Sequence, residues 1–372
     1  MEVKKHSKFQ RYVMPGLIFQ SVVIAGGYGT GAELNEYFFR YGPLGGLLAM
    51  CIVTFLFWAI VSAVTFEFAR IYKTFDYRSL MKGVLGKAWF LYEICYLVIM
   101  LIVMAVVAAA AGVQLNALLG CGKWLGTLIL ALGVVYLVVK GTGAIEKFLS
   151  MWSYVLYAVY GLFLIITFAK FGGQIGAALT AADSIHGSWA LGGAEYAFYN
   201  LACVPLALFA TRDAENTKEA VGSGLLCGLI GILPAILLYL AMCAFYPEVT
   251  SAEAPVNVVF DHLNMPWLRG LFTVVLFGTL IETGSGFVKA ITDRVGGTMA
   301  DKGKEMPKWL VPVITIVCVL LGVAISSFGL TGLIAKGYGT VTWGVFVLYV
   351  IPILTIGVYK IVKGKQAEKA LQ

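Results

Sequence analysis

The chain has 372 residues, of which 60% are hydrophobic and only 13% charged, and its mean hydropathy is +0.87. Soluble domains are roughly half apolar and a quarter charged, so this composition excludes a water-soluble fold. The net charge of +7 comes from lysines and arginines dispersed between apolar runs, which is a membrane-topology pattern and not a nucleic-acid footprint.

The chain opens with Lys4, Lys5, Lys8 and Arg11 ahead of an apolar run from Val13 to Ala25, the layout of a secretory signal peptide. The small residues near Ala25 form no Ala-x-Ala cleavage site, and apolar character resumes at Tyr37-Phe38-Phe39. The run is therefore expected to stay as the first membrane segment. About 20 apolar residues suffice to span a bilayer. By that measure ten segments follow one another, at about 12–40, 44–72, 87–118, 123–140, 144–170, 189–211, 220–246, 266–292, 308–327 and 331–361. The third and the last are long enough to tilt or to extend past the hydrocarbon. The longest polar or mixed stretches, 171–188, 246–266 and 300–308, are too short for a separate catalytic domain.

Short loops retain positive residues on the cytoplasmic side. With the N-terminus inside, all of the 27 basic residues except Arg40, Lys123, Lys170, Arg269 and Lys336 fall in cytoplasmic segments. A wrong span count would scramble that alternation. The expectation is a multi-pass protein of the cytoplasmic (inner) membrane, in contact with lipid, with both termini cytoplasmic. Ten spans divide into five and five, and because five is odd the second unit must enter in the opposite sense, which makes an inverted repeat. The expected organisation is one transmembrane domain over 1–372, with repeat one at about 12–170 and repeat two at about 189–361. Gly31-Ala32-Glu33 through Tyr37 and Gly193-Ala194-Glu195 through Tyr199 share a short pattern.

The first segment of each half carries a break. In the first, Gly26, Gly27, Gly29 and Gly31 lie within six residues together with Thr30, and each glycine costs about 1 kcal/mol relative to alanine in a helix. The sequence predicts unwinding there. Backbone groups freed near the midplane must line a protein-enclosed cavity, because lipid cannot satisfy them. The competing explanation for such glycines is close helix packing, which is the expected role of Gly42, Gly45 and Gly46 and of Gly222, Gly224, Gly228 and Gly231. In the sixth segment Gly192-Gly193 and then Tyr199 to Pro205 interrupt the helix, since Pro205 removes a donor and clashes with the preceding turn. Paired breaks in two halves point to a transport site.

Carboxylates inside apolar runs are functional candidates by default. Glu33 follows the glycine cluster, and Glu282 ends the apolar run from Leu271 to Ile281. Kept from water, such a carboxyl can carry a proton, or it can ligate Na⁺ alongside hydroxyl and carbonyl oxygens; a structural hydrogen bond or ion pair is the alternative. Glu33 and Glu195 are placed toward the outer half, where a vestibule could solvate them. Lys336 is expected to snorkel from a helix end, and Glu67 and Arg70, at i and i+3, to form an interfacial pair. The seven cysteines lack paired or metal-ligand spacing and read as small packing residues. His6, His186 and His262 fall in loops or tails, so no intramembrane metal or proton relay is built on histidine.

The stretch from Val23 to Leu34 with Tyr37-Phe38-Phe39, the Tyr196 to Asn200 run, and Glu282-Thr283-Gly284 followed by Asp293-Arg294 resemble the YkvI-like membrane proteins of the amino acid-polyamine-organocation (APC) superfamily. The resemblance covers nearly the whole chain and departs from it at Gly27 and Tyr28. It implies a LeuT-type fold in which the discontinuous helices 1 and 6 hold the substrate and helices 1 and 8 form a cation site. Carried over by position, Ala25, Gly26, Gly27, Gly29, Thr30, Gly31, Tyr196, Tyr199 and Asn200 would bind substrate. Glu282, Thr283 and Ser285, with Glu33, would serve ion or proton coupling. The expected activity is secondary transport of a small polar or zwitterionic solute such as an amino acid, by alternating access, with Na⁺ or H⁺ as coupling ion and no other cofactor. A sensor that binds its ligand without moving it is the alternative. An enzyme is not expected, because no catalytic constellation is apparent, and a channel would need filter motifs absent here.

Overall fold

The computed structural model describes residues 7–24, 26–140, 142–300 and 302–370, and among these the secondary structure is helical throughout. The order is α1 (Lys8–Tyr12), α2 (Met14–Val23), α3 (Gly26–Gly29), α4 (Ala32–Tyr37), α5 (Pro43–Leu48), α6 (Phe55–Tyr72), α7 (Tyr77–Leu85), α8 (Trp89–Leu119) and α9 (Lys123–Lys140). It continues with α10 (Thr142–Thr180), α11 (Trp189–Leu201), α12 (Thr217–Cys243), α13 (Val256–Leu263), α14 (Pro266–Ala300), α15 (Leu310–Ser326), α16 (Leu330–Gly332), α17 (Gly339–Val345) and α18 (Val358–Ala370). Each of the ten segments expected from hydropathy contains helix. Among the described residues, seven helical stretches are long and apolar enough to cross a membrane, and α2 and α15 are shorter apolar helices. The first and sixth expected segments are the broken ones.

Their fragments are held by side chains that meet the freed backbone groups. Inside α12, Pro234 has no N–H to give the carbonyl of Ile230. The Gln20 amide of α2 donates to that carbonyl at 2.8 Å. The Tyr157 hydroxyl donates to the Gln20 oxygen at 2.8 Å, and the Tyr160 hydroxyl donates to the Pro234 carbonyl at 2.8 Å. One proline thus pins α2, α10 and α12 together through partly buried bonds, each contributing about 1 kcal/mol.

The glycines of α12 have the packing role expected of them. A Cβ at Gly224 would strike Ala63, one at Gly228 would strike Ala59, and one at Gly231 would strike Phe19, so α12 lies close against α6 and α2. Across α6 and α11, Thr54 donates to the Gly193 carbonyl at 2.9 Å and the Trp58 indole donates to the Ala197 carbonyl at 3.2 Å. Glu67 and Arg70 are more than an interfacial pair. Both are buried, the Arg70 Nε–Glu67 Oε2 distance is 2.9 Å, and Thr217 of α12 and Lys365 of α18 also engage Glu67, at 2.7 and 3.0 Å. That network joins the ends of three helices. Lys336 is exposed.

Candidate functional site

The first break differs from the unwound stretch expected at Gly26 to Gly31. Gly26–Gly29 form one helical turn, α3, and the chain departs from helix on either side of it. Ile24 adopts ψ 79°, and Thr30-Gly31 make a turn in which Gly31 takes φ +79°, a conformation that favours glycine. The Thr30 hydroxyl donates to the Gly27 carbonyl at 3.1 Å. Ala25 lies outside the described residues. The glycines of the turn also admit neighbours: a Cβ on Gly27 would sit on the Glu33 carboxyl, and one on Gly29 would sit on Leu276 of α14. Packing and interruption are both at work in this cluster.

In the second break α11 ends at Leu201, and a 3-10 segment over Val204–Thr211 takes over, with Pro205 in its first turn. The side chains at the end of α11 meet Glu33 from the first break. The Tyr199 hydroxyl donates to Glu33 Oε2 at 2.5 Å, and the Asn200 amide donates back to the Tyr196 carbonyl at 3.0 Å. Glu33 is 2% exposed. It is therefore enclosed, contrary to the vestibule expected around it, whereas Glu195 is partly exposed.

Around this carboxyl lies a small cavity of about 20 Å³, lined by Val22, Val23, Glu33, Tyr199, Asn200 and Cys203 with Tyr96 and Tyr338 among others. A volume of that size holds a single water. No lysine, arginine or histidine is among the lining residues, so Glu33 faces hydroxyl, amide and aromatic groups with no positive side chain. Tyrosines pack about it: Tyr37, Tyr196 and Tyr199 have ring centroids 5.6–5.7 Å apart, and Tyr338 stacks on Tyr199 at 4.6 Å. The Tyr37 hydroxyl donates to the Ile334 carbonyl at 3.4 Å. Tyr338 closes the π-helical stretch Leu333–Tyr338, an irregularity that is frequent at functional sites.

Thr30 and Gly31 face away from this cavity. The Val256 amide of α13 donates to the Thr30 carbonyl at 3.1 Å, and a Cβ on Gly31 would meet Met242 and Pro255. The loop carrying α13 thus covers the break on one side. Beneath it Gln114, 1% exposed, donates toward Thr273 at 3.5 Å and accepts from Asn257 at 3.3 Å, a buried polar cluster that hydropathy gives no reason to expect.

Glu282 and Thr283 line a different cavity of about 220 Å³, together with Ser21, Val22, Tyr96, Met100 and Phe287 among others. Glu282 accepts no hydrogen bond and forms no ion pair with the described residues. The hydroxyl of Ser285 is buried and has no hydrogen-bond partner among the described residues. The structure therefore brings together two groups of the expected residues, Glu33, Tyr199 and Asn200 over Gly27 at the crossing of the breaks, and Glu282 with Thr283 on the adjoining cavity, while Gly26, Gly29, Thr30, Gly31, Tyr196 and Ser285 line neither cavity. Tyr96, Cys203 and Tyr338, missed in the sequence, complete the first group. Their signal was weak, a polar-tipped or polarisable residue in an apolar run.

Comparison with protein-family models and with curated proteins gives no match. Among solved structures the chain is similar to a manganese transporter of Eremococcus coleocola, with a TM-score of 0.63 and 16% identity over 95% of this chain and 80% of that one. It is similar to MhsT in complex with L-phenylalanine, with a TM-score of 0.61 and 14% identity over 97% of this chain and 98% of that one. It is also similar to a Na⁺-coupled sialic acid symporter, with a TM-score of 0.57 and 12% identity over 94% and 82%. At such identities the likeness establishes the fold, which is the LeuT-type transporter fold with helices 1 and 6 discontinuous.

Proposed function

We propose that the protein is a secondary transporter that moves a small polar or zwitterionic solute by alternating access, built as one transmembrane domain from two inverted five-helix repeats. The observation that carries this reading is the meeting of the two helix breaks at one buried cavity, where Glu33, Tyr199 and Asn200 converge. A carboxyl enclosed among apolar helices costs several kcal/mol unless a proton or a cation neutralises it. Such a site is suited to a solute bearing a positive group, such as an amino acid or a related compound. MhsT, which shares the fold, is described with L-phenylalanine bound, and the short signature around Val23 to Tyr37 supports kinship with the YkvI-like APC proteins.

Coupling falls to the second cavity. Glu282 and Thr283 line it, and the unpartnered Ser285 hydroxyl lies on the same helix. A carboxylate and hydroxyls fit either H⁺ or Na⁺. Our reading takes H⁺, since Glu282 is ionisable. The basic residues gathered at alternate helix ends support a reading with both termini on the cytoplasmic side of the cell membrane.

The test is uptake of radiolabelled amino acids and related osmolytes into proteoliposomes, under imposed pH and Na⁺ gradients. Concentrative uptake that an ionophore collapses is the expected result. Saturable binding without flux in either gradient would overturn the transport reading in favour of a sensor built on the same scaffold.

A further inference from the structure

Three cavities lie in sequence along one side of the molecule, and neighbouring ones share walls. The Glu33 cavity and the Glu282 cavity have Val22, Tyr96 and Phe287 in common. The Glu282 cavity in turn shares Leu206 and Ala290 with a mouth of about 350 Å³ lined by Asp76, Tyr77, Arg78, Asp293, Arg294 and Gly297. On α14 the residues that line this series are Glu282, Thr283, Gly286, Phe287, Ala290, Asp293, Arg294 and Gly297, whose three- and four-residue steps are those of one helix face. On α8 Tyr96, Ile99, Met100 and Val103 do the same. A single interhelical path therefore leads from the end of α14 rich in basic residues toward Glu33, while α13 covers the opposite side at Thr30.

Arg294, which lines the mouth, lies against two tyrosines. Its guanidinium carbon is 4.2 Å from the ring centroid of Tyr77 and 4.3 Å from that of Tyr96, and those two rings are themselves nearly parallel, 5.8 Å apart. Arg294 Nε is 3.7 Å from Glu93 Oε1, which also accepts the Tyr77 hydroxyl at 3.0 Å. Arg294 Nη1 also points to the sulfur of Met100 at 3.5 Å. Three elements thus converge, α7 through Tyr77, α8 through Glu93 and Tyr96, and α14 through Arg294. Tyr96 is 2% exposed, and its hydroxyl makes no hydrogen bond with the described residues. With no such bond from the hydroxyl, the ring is held by its stacking with Tyr77 and Tyr92 and by the cation against its face. A partly desolvated cation–π contact is worth about 1–2 kcal/mol, and the loosely spaced ion pair adds a modest amount, so the closure is firm enough to persist and weak enough to open.

We propose that Arg294, held by Tyr77 and Glu93, latches Tyr96 as the gate between the Glu33 cavity and the mouth at the basic face, and that release of Arg294 opens the site to that side. The inference rests on the transport reading only in calling the Glu33 cavity a solute site; the barrier itself can be measured without transport. Cys203 lines the Glu33 cavity and supplies a native reporter. The purified full-length protein is treated with a methanethiosulfonate reagent, and modification of each cysteine is followed by peptide mass spectrometry.

Arg294→Gln and Tyr96→Ala should each raise the rate at Cys203 about tenfold, the scale expected when a contact of this strength is lost. Tyr96→Phe, which keeps the ring and removes only the unpartnered hydroxyl, should leave the rate within twofold of wild type. Tyr77→Leu provides a second route to the same release should Arg294→Gln fail to fold. Cys227 and Cys243, buried in α12, should stay at their wild-type rates. An unchanged Cys203 rate in Arg294→Gln or Tyr77→Leu and in Tyr96→Ala would overturn the gate, and so would a parallel rise at Cys227 and Cys243, which would mark general loosening. Absence of solute flux with the expected Cys203 pattern would break the transport reading and leave the gate standing.

Discussion

Glu33 and Glu282 are both carboxylates set in apolar helix, yet the structure treats them differently. Glu33 is enclosed at the crossing of two helix breaks and accepts a hydrogen bond from Tyr199. Glu282 stands on a roomier cavity, partly exposed and without a hydrogen bond from the described residues. An enclosed carboxyl with a fixed donor is held in one orientation, which suits recognition of a specific group. A carboxyl on a cavity wall with no donor can exchange a proton or a small ion without repacking its surroundings. On the reading we propose, solute binding falls to Glu33, which the sequence grouped with the coupling residues, and coupling falls to Glu282, and each assignment can be broken separately.

The largest effect is expected from Glu33→Gln, which keeps the shape and removes the charge. Losing the charge at a desolvated site costs about 3 kcal/mol of binding. Solute affinity, measured by equilibrium binding to the purified protein, should fall on the order of 100-fold, with the melting temperature close to wild type. Retained affinity would remove Glu33 from the binding site. Tyr199→Phe should come next. It deletes the hydroxyl that positions the carboxyl, a charge-assisted bond worth about 1.5 kcal/mol, so affinity should drop roughly tenfold. If Tyr199→Phe in a Glu33→Gln background costs as much again, the two do not act together.

How much of this was legible in the sequence follows from the range over which each feature is encoded. The break at Gly26 to Gly31 is a local property of composition and was visible, as was Pro205. That Gly26–Gly29 would nonetheless form a helical turn was not visible, because it depends on Glu33 and Leu276 filling the space that side chains would have taken. Glu67 and Arg70 were legible as an i, i+3 pair, but Thr217 and Lys365 reach them from about 150 and 300 residues away, and no spacing rule reports that. Tyr96 and Tyr338 had the same difficulty. Each is one aromatic among many in an apolar run, and each becomes part of a site only when α8 packs against α3, α14 and the Leu333–Tyr338 stretch, whose Tyr338 stacks on Tyr199 of α11. The π-helical stretch itself leaves no mark on hydropathy.

Glu282→Gln sharpens the comparison from the other side. If Glu282 serves coupling alone, equilibrium affinity at saturating ion should change by no more than about threefold. The dependence of proteoliposome uptake on the imposed pH or Na⁺ gradient should disappear. Loss of affinity on the scale of Glu33→Gln would merge the two roles, and normal gradient dependence would move coupling elsewhere.

The smallest effect is expected at Lys336, and it tests whether intramembrane charge is informative without its surroundings. Lys336 lies in the same π-helical stretch as Tyr338, two residues from a side chain that stacks on the Glu33 site. By sequence it could be an embedded amine standing in for a coupling cation. Its side chain is exposed, and a lysine so placed extends its ammonium toward the interface at little cost. Lys336→Ala should therefore leave affinity and ion dependence at wild-type values and shift stability by less than about 0.5 kcal/mol. If uptake instead became dependent on added Na⁺ in this variant, the amine would be acting as the fixed cation of the coupling site. The division of labour between Glu33 and Glu282 would then have to include a third group that reaches the site by moving.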